Sequence, residues 1–84
     1  MKDSEIVNLF WERNEEAIAE SKKAYENYCM YIAQNLLYDR QDSEECVNDV
    51  LIAAWKSIPP QKPDNLKTYL GKLTREEADR KSVV

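Results

Sequence analysis

Histidine is absent from this 84-residue chain. That removes the commonest general acid/base near neutral pH and the commonest transition-metal ligand. Glycine occurs once and proline three times, too few for the many tight reversals of an all-β sandwich or barrel. No apolar run approaches the roughly 20 residues that would span a membrane, and no signal-peptide core is evident. The two cysteines, Cys29 and Cys46, form no C-x-x-C pair. Isolated thiols in a chain without export signals read as reduced, buried and inert, and the chain as cytoplasmic. There is no Gly-rich phosphate loop, nucleophile elbow or metal-ligand spacing, so catalysis, cofactor and metal are not expected. The adjacent acids Glu15/Glu16, Glu44/Glu45 and Glu76/Glu77 do not supply an acid/base pair, because neighbours on a helix point apart.

What is present suits one small soluble domain. The chain is 43% hydrophobic and 33% charged, and at this length a fold buries roughly 60% of the surface its unfolded chain exposes. Residues 1–55 carry 5 basic and 12 acidic side chains, a balance of −7, and residues 56–84 carry 7 and 4, a balance of +3; together they make the net −4. The average disfavours a nucleic-acid glove over the whole chain. An acidic body with a basic end instead predicts two surfaces with different partners.

Four helical segments are predicted, giving an all-α bundle. The first runs from about Ser4 to Glu12, with Ser4 as N-cap and Ile6, Val7, Leu9, Phe10 and Trp11 as apolar surface. The second, about Glu15 to Tyr38, has Asn14 as cap and one apolar face of Ile18, Tyr25, Cys29, Ile32 and Leu36, widened by Tyr28 and Leu37. At 1.5 Å per residue it would be roughly 36 Å long, the spine of the domain. After a turn at Asp39–Gln41, a third helix is expected to start at Asp42, where Asp42 and Glu45 resemble a capping box. Its stripe is Val47, Val50, Leu51, Ala54, Trp55 and Ile58, and Pro59–Pro60 ends it. The stretch SIPPQKPD reads as a stiff loop. The last helix begins near Asp64 or Asn65, with Leu66, Tyr69, Leu70 and Leu73 inward. Beyond Thr74 large apolar residues stop recurring, and a fraying, solvated end is expected.

Two surfaces are candidates for binding. Behind the third helix's apolar stripe lies a second face of Glu45, Asn48, Asp49, Ile52 and Lys56, acidic and amide-bearing with one aliphatic residue. It reads either as a solvated face with a stray Ile or as a docking face. The fourth segment carries Lys62, Lys67, Lys72, Arg75, Arg80 and Lys81 beside Tyr69. These are either ordinary solubilising charge, interrupted by Glu76, Glu77 and Asp79, or a row facing a phosphate backbone. Tyr25, Tyr28, Tyr31 and Tyr38 read as core residues with polar tips in preference to a base-stacking platform.

The run DSEECVNDVLIAAW, Asp42 to Trp55, resembles the pattern D-A-E-D-L-V-Q-E-V-F-x-x-A-W of the second conserved region of bacterial RNA polymerase sigma factors, especially the extracytoplasmic-function class. Upstream, LYDRQDSEE resembles L-x-D-x-x-D-A-E-D. Downstream, W-K-S-I-P-P and L-K-T-Y-L-G-K-L-T-R resemble W-x-x-I/L-P and F-x-x-W-L-x-x-I-x-R-N. The likeness covers residues 8 to 75. It implies a helical domain that docks on the clamp helices of the polymerase largest subunit and captures the non-template strand of the minus-ten promoter element as the strands open. Glu45, Asn48 and Asp49 fall where the family carries contact residues, with Ile52 as a small apolar anchor among them. The promoter-reading parts match Ile58 to Arg75, where Lys62, Lys67, Lys72 and Arg75 would hold phosphates, a flipped base would enter a pocket, and Tyr69 would sit in the core.

The resemblance implies polymerase core and promoter DNA as partners and admits an anti-sigma factor; it implies no membrane, cofactor or metal. Glu76 and Glu77 stand where the family has Asn and an apolar residue, which should weaken helix packing and DNA approach there. No counterpart of the family's helix-turn-helix domain follows, so the expectation is one half of a two-domain factor, as a fragment or truncated form. Two other readings stay open: a sigma-like regulator that binds polymerase without reading promoters, and a helix-bundle interaction module unrelated to transcription.

Overall fold

The structure, a computed structural model, describes residues 1–82. Four helices follow one another: α1, Asp3–Trp11; α2, Glu16–Leu37; α3, Arg40–Ser57; α4, Leu66–Ser82. No strand occurs among the described residues. The expected all-α bundle is what the chain forms. The three long helices pack mutually, α2 against both α3 and α4 and these two against each other, while α1 lies mainly on α2 and also reaches α4.

The helix starts differ in detail from expectation. Lys2, not Ser4, is the N-cap of α1, and the Glu5 carboxylate accepts from the Lys2 backbone N–H at 3.2 Å. Asn14 caps as expected, its Oδ1 accepting from the Glu16 N–H at 2.9 Å. The expected turn at 39–41 is instead the start of α3. Asp39 is the cap, its Oδ1 accepting from the Asp42 N–H at 2.8 Å. Both aspartates are good caps, and the upstream one adds nearly a full turn of helix. Asn65 opens α4 by accepting from the Thr68 N–H at 3.0 Å.

The two helix–helix corners are made without glycine. At the end of α1, the Asn14 N–H donates to Leu9 O and the Arg13 N–H to Phe10 O, a Schellman closure with Arg13 at φ 56°. That left-handed position usually takes Gly or Asn. Tyr38 takes the same role after α2, also at φ 56°. Arg13 is then used twice. Its guanidinium lies 3.7 Å from the Trp55 ring centroid and donates to Trp55 O at 2.8 Å and Ile58 O at 2.9 Å. A cation at the C-terminus of α3 meets both the orphan carbonyls and the negative end of the helix dipole. The residues before the loop, Ile58–Pro59 and Pro59–Pro60, are both joined by cis peptide bonds.

The core holds Ile6, Val7, Phe10, Cys29, Val47, Val50, Ala54, Ile58, Leu66 and Leu70. Three expectations fail at its edge. Leu36, assigned to the buried face of α2, is exposed, while the adjacent Leu37 packs on the core in its place. Tyr31 and Tyr38 are 68% and 88% exposed, so the tyrosines divide: Tyr25 and Tyr28 pack on the core and the other two do not. Most consequentially, α4 does not fray after Thr74 but runs on to Ser82. Thr74 and Ala78 are fully buried there, with the buried Gly71 one turn before. The stripe continues in small residues that let α4 approach closely, where the sequence offers no large apolar side chain. Glu77, expected to weaken packing, is half-buried and paired with Arg80 at 3.4 Å. The expectation for Val83 and Val84 lies outside the described residues.

The one glycine therefore serves a helix contact. A Cβ on Gly71 would stand 2.8 Å from the Tyr28 hydroxyl and 3.2 Å from its ring. Alanine there gains about 1 kcal/mol of helix propensity but must displace that ring. Gly71→Ala should change the midpoint of chemical unfolding little in the native background and raise it in a Tyr28→Phe background, where the nearest atom is gone. Gly71→Val should lower the unfolding free energy in both, by about 2 kcal/mol. Equal effects of Gly71→Ala in the two backgrounds would contradict the contact.

Candidate protein- and nucleic-acid-binding faces

One side of α3 is spent on the core: Cys46, Val47, Val50, Leu51 and Ala54 are all buried. The 3.6-residue repeat turns the remaining residues to the opposite side. Glu45, Asn48 and Ile52 are exposed and Asp49 half-exposed. The four expected docking residues thus share one face. Ile52 is 51% exposed, an aliphatic side chain set among polar ones.

Each flank of this row has a neighbour that sequence reasoning missed. On the α2 side runs a groove of about 560 Å³, bordered by Asn48, Glu44, Val47, Met30, Tyr31 and Gln34. Tyr31 stands exposed at its edge, and its signal in the sequence was only its place off the apolar stripe of α2. On the α4 side, Lys81 reaches across to α3. Its ammonium lies 3.1 Å from Asp49 Oδ2 and 3.9 Å from Glu45 Oε2. The bond to Asp49 holds the Lys81 ammonium above the ordinary lysine range. Sequence reasoning counted Lys81 among the basic residues, but a helix ending at Thr74 would not have carried it there.

Beneath this seam lie the two thiols, both free and buried. The Cys46 Sγ donates to Thr74 O at 3.7 Å. Burial pushes the Cys46 thiol up to about 11, and the Glu77 carboxylate adds to this. Burial also raises Cys29, with the neighbouring Thr74 hydroxyl pulling part of the way back. Neither is poised as a nucleophile, since reactivity needs the thiolate.

The four expected phosphate-binding cations are all exposed, in two settings. Lys62 stands on the loop with its ammonium 5.8 Å from the Trp11 ring centroid, and the Trp11 Nε1–H donates to Gln61 O at 3.1 Å. Lys67, in the first turn of α4, lies 4.8 Å from the Tyr28 ring centroid. Lys72 and Arg75 follow one turn apart on the outer side of α4. Tyr69 is half-buried against the core, as expected, and its hydroxyl meets Ser57 Oγ at 2.6 Å. Trp11 is 44% exposed. With Arg13 it ties the α1 corner to the loop, a role the sequence does not announce because the partners are some 50 residues apart. Among the described residues no cluster of three or more His, Cys, Asp or Glu could hold a metal ion. Nor is any helix among the described residues long and apolar enough to cross a membrane.

Comparison with known proteins places this geometry. No curated protein and no solved structure matches the chain. A family model does: that of sigma-70 region 2 matches residues 23–81, from the second turn of α2 to Lys81, which is 59 of the 84 residues. The match takes in α3 with its polar face, the loop and nearly all of α4, and leaves α1 outside. The chain belongs to the sigma-70 region 2 family, whose domains act in transcription initiation.

Proposed function

We propose that this domain, of the extracytoplasmic-function type, docks on the clamp helices of the RNA polymerase largest subunit through Glu45, Asn48, Asp49 and Ile52. It then holds the opened non-template strand of the minus-ten element through the loop and α4, with Lys62, Lys67, Lys72 and Arg75 as phosphate contacts. The observation that carries the reading is the polar face of α3. Inside the family-matched span, a helix whose other side is wholly committed to the core presents two carboxylates, an amide and an isoleucine together. Carboxylates steer a basic partner and fix its register, and the exposed aliphatic group adds desolvated contact at the centre.

The DNA half of the reading is supported by the basic residues of the loop and α4 and by the aromatic side chains next to them. Single strands are held by cations tracking the backbone, with aromatic faces offered to bases. No covalent step is involved. Binding energy goes into the separated strands and so shifts the melting equilibrium toward them.

Two measurements test the proposal. Asp49→Lys combined with Asn48→Ala should weaken binding to the isolated clamp-helix hairpin by about 100-fold, since reversal replaces attraction with repulsion at close range. Its helical circular dichroism and melting curve should stay near native, and unchanged affinity would contradict docking. For DNA, the probe is a fork junction with an exposed minus-ten non-template strand, bound in the presence of polymerase core. Replacing Lys72 and Arg75 with Ala should flatten the slope of log affinity against log salt by roughly 1.4, two single-strand phosphate contacts. If the native chain binds polymerase but never stabilises the opened strand, the protein is a polymerase-binding regulator that does not read promoters.

A further inference from the structure

The acidic face of α3 is not bare. The segment after Thr74 continues as helix, packs Ala78 against the core, and delivers Lys81 to Asp49 at 3.1 Å and Glu45 at 3.9 Å. The Lys81 side chain lies along the surface with 27% of its area exposed, against 44% for Asp49 and 62% for Glu45, and brings its solvent-facing ammonium to both carboxylates. It therefore occupies one of the Asp49 oxygens, Oδ2, that an arginine or lysine of a basic partner would pair with. Two carboxylates with one ammonium between them present a net charge of −1 where they would otherwise present −2.

We infer that Lys81 is an intramolecular competitor for the docking face, so that α4 sets how strongly α3 can bind a basic helix. This rests on the docking reading above. The expected direction follows from charge. A partner cation arriving at Asp49 must displace the Lys81 ammonium or share the carboxylate with it, and either costs part of the attraction. Displacement itself is cheap, because a partly solvated ion pair is worth little and the lysine stem can swing into water. The contact therefore attenuates docking without blocking it, and it links the two ends of the molecule. A ligand that draws Lys81 away, such as a phosphate backbone lying along α4, would strengthen the grip of α3 on its protein partner. Reciprocally, a docked partner would free Lys81 for that backbone.

The test compares the native chain with Lys81→Met, which keeps the stem and removes the charge, and Lys81→Arg, which keeps the charge. Each is titrated against two probes at low ionic strength: the isolated clamp-helix hairpin and a synthetic arginine-rich helical peptide. Lys81→Met should bind both about 3- to 10-fold more tightly, the range expected for one partly screened charge. Lys81→Arg should match the native chain, and the gain should shrink as salt is added. Adding Asp49→Asn to Lys81→Met should abolish the gain. Equal or weaker binding of Lys81→Met to the arginine-rich peptide would overturn the competition. Failure of every form to bind the hairpin, with the peptide series still ordered as stated, would sink the docking reading and leave the competition standing. A melting curve for Lys81→Met near native shows that α4 has not been lost.

Discussion

The approach of α4 to α2 and α3 through small side chains is the constraint on which the rest of the structure depends. Gly71, Thr74 and Ala78 recur at three and four along α4, all buried. Gly71 receives the Tyr28 ring, and Thr74 stands at the three-helix junction, with its Oγ1 donating to Leu70 O at 2.7 Å and its carbonyl accepting from Cys46. Side chains with little volume let backbones come close, so contact is gained by proximity instead of by bulk. Without this seam α4 would be tethered only through its first half, by Leu66, Tyr69, Leu70 and Leu73, and its charged second half would have no place.

From that seam follows the arrangement of charge. The −7 body and +3 end of the sequence do not become two separated lobes. They become adjacent faces of one bundle, measuring 37 × 21 × 20 Å, with the acidic row on α3, the outer side of α4 next to it, and Lys81 crossing between them. The α1 corner serves the same plan from the other end. Arg13 closes the carbonyl end of α3 and Trp11 holds Gln61, so the loop that leads into α4 is tied at both sides.

Much of this could be read from the residues. Periodicity found four helices and separated the buried and polar sides of α3, because Val47, Val50, Leu51 and Ala54 differ sharply in hydropathy from Glu45, Asn48 and Asp49. The order of short patterns from Asp42 to Arg75 pointed to the family that the comparison establishes. The failures share a physical origin. The second half of α4 was misread because close packing by Gly, Thr and Ala carries almost no hydropathy signal. The start of α3 was misplaced because Asp39 and Asp42 are equally good caps, and only the tertiary path decides between them. Leu36 lies on the periodic face yet is exposed, and Tyr31 and Tyr38 lie off that face, where an aromatic ring alone does not fix burial. Arg13, Trp11 and Lys81 act across 32 to 50 residues, a distance over which local pattern is silent.

Both faces depend on α4 being one packed helix that carries Lys81 to α3. Residue-resolved amide hydrogen exchange under native conditions measures this directly. The amides of Glu77 and Ala78 should exchange within about 10-fold of those of Leu70 and Gly71, because one seam holds both halves. Exchange at unprotected rates after Thr74, beside slow exchange before it, would contradict it.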